Sequence, residues 1–245
     1  HFMAANVATA AFPMLAAANA RLIARFGTAA QVESFARPEI AGAALGTMCL
    51  SEPQAGSSLA DIKTRAVPDG DDDLGARHRL FGNKMWISGG DHDITENIVH
   101  LVLAKVPDAD GWLRAGTAGI SLFVVPKILP NGERNDIAVA GLNHKMGYRA
   151  IPNCLLNFGE GARHRPMGAA GAVGWRVGAS GEGLAIMFRM MNEARIQIGL
   201  GAAALACRGY RQSLDYARAR PQGRIGRDPA APQVPIIAHA DVKRM

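Results

Sequence analysis

Met48-Cys49-Leu50-Ser51-Glu52-Pro53-Gln54-Ala55-Gly56-Ser57 marks the point where the texture of this chain changes. Upstream, from Phe2 to about Ala36, apolar residues recur at helical spacing with interruptions near Pro13 and Gly27, which predicts two short helices. Downstream, short β-rich runs bounded by turn residues occupy 62–67, 78–81, 84–88, 98–106, 119–125, 137–142 and 153–158. Strands at such spacing predict an antiparallel sandwich or barrel. From Gly183 the period changes again: Leu184, Met187, Phe188 and Met191 fall at i, i+3, i+4 and i+7, and few breakers intervene before Pro221. One helix of roughly 35 residues is expected there. The predicted class is α+β, with a helical lead-in over 1–46, a middle β domain over 47–166 and the start of a helical bundle over 167–245. Gly/Pro-rich connectors lie at 126–134 and 159–181, and the small residues of 168–174 read as a mobile surface loop.

The quoted stretch also carries chemistry. Ser51 offers a hydroxyl, Pro53 a rigid turn, and the Gly56-Ser57 step backbone N–H groups that can approach an anion or ring carbonyl. The strand Asn83-Lys84-Met85-Trp86-Ile87-Ser88 presents Trp86, which composition alone assigns to the core ahead of a platform for a planar ligand. The 27 Lys+Arg against 21 Asp+Glu give a formal charge of +6, suited to anionic ligands without singling out nucleic acid. Cys49, Cys154 and Cys207 are widely spaced, so neither a disulfide framework nor a zinc site is indicated, and a reducing cytoplasmic compartment is expected. Residues 4–22 are apolar but interrupted by Asn6, Pro13 and Asn19, and no membrane span is expected. The start at His1 and the mid-pattern stop at Met245 read as truncations.

Taken together, the 48–57 and 84–88 segments resemble the acyl-CoA dehydrogenase family, whose loop reads Cys-Ala/Leu-Thr/Ser-Glu-Pro-x-x-Gly-Ser and whose following strand reads Lys-x-Trp/Phe-Ile-Ser/Thr. Further pieces follow in family order: 119–125, Lys145-Met-Gly-Tyr-Arg149, 153–158, Gly181-Glu-Gly183, Arg195 and Tyr216-Ala-Arg-Ala-Arg220 with Gln222-Gly223. Details at 92–98, 126–127, 134–136 and 190–195 look most like the larger members, such as the 3-methylmercaptopropionyl-CoA dehydrogenase group. The resemblance implies an FAD-dependent α,β-dehydrogenation of an acyl-CoA thioester in fatty acid metabolism. It also implies an electron-transfer flavoprotein or similar acceptor, and a homodimer or homotetramer. Leu50, Ser51, Trp86, Ile87 and Ser88 would face the flavin, Gly56 and Ser57 the pyrophosphate or CoA, and Arg220 the FAD of a neighbouring subunit. Asn192 and Arg195, with Ser57, would contact the substrate. The family's usual base, a glutamate in later helices, falls after Met245. Its alternative position holds Ala194, with Glu193 one residue before, so no catalytic base is assigned and the chain by itself is expected not to turn over. Ser58 stands where an aspartate is usual, and His239 lies where a glutamine is.

A flavin-free interaction scaffold derived from the same family is the alternative, and salt-sensitive binding of a nucleic-acid backbone by Arg218, Arg220, Arg224 and Arg227 a more distant one. Other signals fail on spacing. Residues 69–73 lack the Gly and Glu of a calcium loop and read as a solvated turn. Residues 199–204 mimic a dinucleotide fingerprint but sit inside the helical pattern, where close helix packing explains the glycines better. Asp91-His92-Asp93 reads as a polar turn, and no metal site is expected.

Overall fold

A computed structural model describes residues 1–245, in two compact units: residues 8–197, and residues 1–7 with 198–245. Helices α1 (Phe2–Ala5), α2 (Val7–Phe26), α3 (Ala29–Gln31) and α4 (Arg37–Ala41) come first, with a π-helical turn at Val32–Ala36. Strands β1 (Ala44–Cys49), β2 (Arg65–Asp72), β3 (Gly75–Ser88), β4 (Asn97–Lys105), β5 (Ile120–Pro126), β6 (Ile137–Leu142), β7 (Asn153–Phe158) and β8 (Ala172–Val177) follow. Helices α5 (Gly183–Ala219) and α6 (Ala240–Arg244) complete the chain.

The sheet of the larger unit runs β1-β4-β5-β8-β3-β7-β6, with β2 beside β3. Its ladders are antiparallel apart from β1 on β4, where Ala44 to Cys49 run opposite Asn97 to Val102, and a single parallel β2–β4 bridge. The architecture is the expected α+β one. Both faces of the central strands are covered. Val99, Leu101, Leu122, Val124 and Val177 pack with Leu22, Ile23 and Phe35 of the lead-in and with Met187 and Met190 of α5. Val102, Phe123, Val125, Leu156 and Phe158 form the opposite core. Burial on two faces explains why β5 is a continuous apolar run rather than an alternating one. Each such side chain contributes about 1.5–3 kcal/mol of transfer free energy.

Several expectations change. The lead-in has four helices instead of two, and α2 passes through Pro13. A mid-helix proline forgoes one backbone hydrogen bond, and here the surrounding packing outweighs that loss. By length and composition α2 could cross a membrane, a test that the core helix of a globular protein also passes; eight of its residues, Leu22 and Ile23 among them, are buried. The runs at 78–81 and 84–88 are one strand, β3. Residues 172–174, expected to be loop, begin β8, a buried strand between β5 and β3. The small residues are what the position demands: a Cβ at Gly174 would come within 2.7 Å of Val125 Cγ2. The acidic run is likewise not a free turn, since Asp72 accepts a bond from Trp175 Nε1 at 2.8 Å and Asp69 pairs with Arg77 at 3.2 Å.

Helix α5 spans 37 residues, close to the expected length. In the smaller unit its second half is joined by a Pro221–Pro235 bridge, a 3-10 turn at Ile236–Ala238 and α6. A cavity of about 750 Å³ there is lined by Tyr210, Leu214, Ala217, Ile236 and Val242. Nothing lies within 4 Å of a Cβ built on Gly199, so close packing within this chain does not account for that glycine.

Candidate functional site

Strand β1 delivers the chain into the 48–57 loop, and β3 returns beside it. The two meet through Met85 N–H, which donates to Ser51 O at 2.9 Å. The loop closes on itself: Glu52 N–H donates to Ala55 O at 2.9 Å, and Ala55 N–H to Glu52 O at 3.0 Å. Pro53 and Gln54 are left at the exposed tip.

Beneath the loop lies a buried ion pair that neither segment reveals when read alone. Lys84 Nζ, fully buried, donates to Leu50 O at 2.9 Å and to Glu52 Oε1 at 3.0 Å. The Glu52 carboxylate also accepts from Thr64 N–H at 3.0 Å, Thr64 Oγ1 at 2.6 Å, Lys63 N–H at 2.7 Å and Gln54 Nε2 at 2.7 Å. Burial pushes the Glu52 pKa up, but Lys84 and these donors outweigh it and hold the group at about 2. Burial lowers the Lys84 pKa and Glu52 opposes that shift. Both acceptors around Nζ suit an ammonium, so the pair is ionic.

Between Lys84 and Ile87 the β3–β7 register slips: Lys84 faces Leu156, Ile87 faces Cys154, and one extra residue bulges on β3. Trp86 sits in this bulge with φ 66°, a conformation that costs an L-residue roughly 1–2 kcal/mol. The bulge turns its side chain outward, leaving it 61% exposed, so the core placement favoured by composition does not hold. An exposed tryptophan held in a strained backbone is the kind of outlier that marks a binding surface.

The other residues singled out from sequence fall into distinct groups. Leu50 and Ile87 are buried, so they can offer a ligand only main-chain groups. Ser51 and Ser88 are half-buried on the open side, where Asn153 Nδ2 reaches Ser88 Oγ at 3.4 Å. Gly56 and Ser57 are exposed, and a Cβ built on Gly56 meets nothing within 4 Å. Ser58 starts the 3-10 turn Leu59–Asp61 without a side-chain cap. On α5, Arg195 Nη1 donates to Asn192 Oδ1 at 2.8 Å, and its guanidinium lies over Phe188. Glu193 pairs with Arg21 at 3.0 Å. Arg220 is exposed just past α5 in the smaller unit, where His239 Nε2 bonds Gln222 O at 2.7 Å. The loop and the 84–88 strand are therefore brought side by side, with Asn153 as a neighbour. Sequence reading gave no role to Glu52, Lys84 or Thr64. A charged residue alternating with apolar ones inside a strand, as Lys84 does, is the signal that could have found them.

The turn after Ser88 is firmly held. Asp91 pairs with Lys127 at 2.5 Å and with Arg134 at 3.6 Å. Burial raises the Asp91 pKa, but these cations outweigh it and leave it below the ordinary carboxylate value. Cys49 is fully buried, and burial pushes its thiol up to about 12, which keeps it un-ionised and unreactive.

Residues 47–160 match the model of the acyl-CoA dehydrogenase middle domain. Over 224 residues the chain is 41% identical to 3-methylmercaptopropionyl-CoA dehydrogenase of Ruegeria pomeroyi, covering 89% of this chain and 35% of that protein. A butyryl-CoA dehydrogenase of Syntrophomonas wolfei is 40% identical over 210 residues, covering 82% and 32%. Among solved structures, a glutaryl-CoA dehydrogenase of Mycobacterium smegmatis in complex with FADH2 superposes with a TM-score of 0.69 at 24% identity, over 98% of this chain and 52% of that one, a likeness of fold. The chain spans about a third of the length of the curated relatives it matches. By the matched middle domain and these relatives, this chain belongs to the acyl-CoA dehydrogenase family.

Proposed function

We propose that this chain supplies the flavin-binding face of an FAD-dependent acyl-CoA dehydrogenase that converts an acyl-CoA thioester to the 2-enoyl-CoA. The observation that carries the reading is the strained, outward-facing Trp86 beside the hydrogen-bonded Ser51 loop. A planar aromatic platform, the half-buried hydroxyls of Ser51 and Ser88, and open space above Gly56 fit an isoalloxazine ring with its phosphates. When bound, FAD supplies the acceptor for the hydride that leaves the β-carbon. The protein's part is to stack and orient: Trp86 covers one side of the ring, while the main chain at Leu50 and Ile87 and the hydroxyls of Ser51 and Ser88 bond its polar edge. Gly56 and Ser57 let a phosphate approach, and the Arg195–Asn192 pair orients the thioester end of the substrate. Glu193, engaged by Arg21, is not assigned as the base.

The same reading divides the chain into 1–46, 47–166 and 167–245. It places the protein in the cytoplasm as a homodimer or homotetramer in which Arg220 reaches a neighbouring FAD, with an electron-transfer flavoprotein as acceptor. It is tested by adding acyl-CoA anaerobically to the full-length protein reconstituted with FAD: bleaching of the visible flavin band is expected, and a band that persists contradicts the reading.

Gly56 gives a separate handle. Because a Cβ there meets nothing, Gly56→Ala should alter the stability of the ligand-free chain by less than about 0.5 kcal/mol, yet it should weaken FAD or CoA binding roughly tenfold through the lost close approach. Thermal melts alongside FAD and CoA titrations check both halves; unchanged affinity for both ligands would remove the loop from the site.

A further inference from the structure

Asn19 of α2 is fully buried, and its Nδ2 donates to Val99 O at 2.9 Å and to Thr47 O at 3.4 Å. Two carbonyl acceptors fix which end of the amide carries nitrogen. Its Oδ1 is therefore an acceptor, and it has no donor. Glu39 of α4 is 6% exposed, and both of its carboxyl oxygens are also buried without a partner. The two side chains converge on one notch in β1, since a Cβ at Gly46 would collide with Glu39 Oε1 and Asn19 Nδ2 alike. Three buried acceptor oxygens without a donor, on two side chains that meet at one notch, are costly, and an ionised carboxylate there would be costlier still. One proton resolves the arrangement.

We infer that Glu39 is a neutral carboxylic acid in the folded protein and donates its O–H to Asn19 Oδ1, forming a pH-sensitive latch that ties α2 and α4 to β1. The latch acts on the strand that leads into the 48–57 loop, through the Asn19 bond to Thr47 O. No ionised group faces Glu39: Asn19 comes from α2, and Gly46 and Thr47 from β1. Beyond Thr47, His100 on β4 meets Thr47 Oγ1 at 2.7 Å and is held neutral because burial lowers its pKa to about 3. On α4 itself, Arg37 pairs at the surface with Glu33 of the preceding π-helical turn. Burial alone raises the Glu39 pKa well above the ordinary value. A folded pKa above the unfolded one means that the latch is fully present below the ordinary glutamate range and is lost as pH rises through the folded value.

Infrared difference spectra of the chain carrying 13C-labelled glutamate, wild type minus Glu39→Gln, should show a protonated carboxyl band at pH 6 that converts to carboxylate at higher pH. Glutamine keeps a donor toward Asn19 Oδ1, so the variant's melting temperature should lie nearest wild type below the ordinary glutamate range and exceed it increasingly as pH rises from 5 toward the folded value. A wild-type spectrum at pH 6 with no protonated carboxyl overturns the inference, and needs no variant to fold. So does a melting-temperature difference that stays constant from pH 5 to 9.

Discussion

Lys84→Met is expected to lower the stability of the larger unit by about 3–5 kcal/mol, a fall in melting temperature of roughly 10 °C for a unit of this size. Methionine fills most of the volume, so the loss is chiefly electrostatic: it strands the Glu52 carboxylate in the interior and removes the donor to Leu50 O. Adding Glu52→Gln to the variant should recover part of that loss, because the uncompensated charge is then gone and the single amide oxygen can still accept from Thr64 N–H and Oγ1. Thermal melts of wild type, both single variants and the double variant check this; equal losses for the double variant and Lys84→Met would mean that packing, not charge, sets the cost. The same pair fixes an acid limb. The folded pKa of Glu52, about 2, lies below its unfolded value, so its stabilisation is present above the ordinary glutamate range and is lost as pH falls toward 2. Glu39 has the opposite sign. Two carboxyl groups flanking β1 therefore push stability in contrary directions as pH changes.

The second large effect is on ligand binding. Trp86→Gly should weaken FAD binding roughly 10- to 100-fold, the scale of a lost stacked aromatic contact. The ligand-free protein should melt at the same temperature or slightly higher, because glycine relieves the left-handed φ at little packing cost for a side chain already 61% exposed. Trp86→Phe should keep most of the affinity. A drop in both stability and affinity with Trp86→Gly would return the tryptophan to a structural role.

The outline of this molecule was legible in its sequence because period and turn chemistry change at the right places. The β runs at 137–142 and 153–158 match β6 and β7, and the helical pattern after Gly183 matches α5. What escaped reading has a common cause in close backbone approach. Strands β1 and β8 each carry a glycine, Gly46 and Gly174, because other chain segments crowd them there, and composition alone assigns such residues to helix or loop. Of the candidate site, the 48–57 loop and the 84–88 strand were legible as a pair from the family resemblance. The exposure of Trp86 was not, since a single-residue bulge reverses the alternation that would otherwise bury it. Nor were the partners of Glu52 and Asn19, which are set by contacts 32 and 80 residues away in the chain.

The central claim is that one face, built from the 48–57 loop and the bulged end of β3, binds FAD. Hydrogen exchange of the full-length protein with and without FAD tests it most directly. Slowed exchange at the amides of both segments, with Trp86→Gly reducing that protection, is the predicted result. Saturable FAD binding that protects neither segment would contradict it.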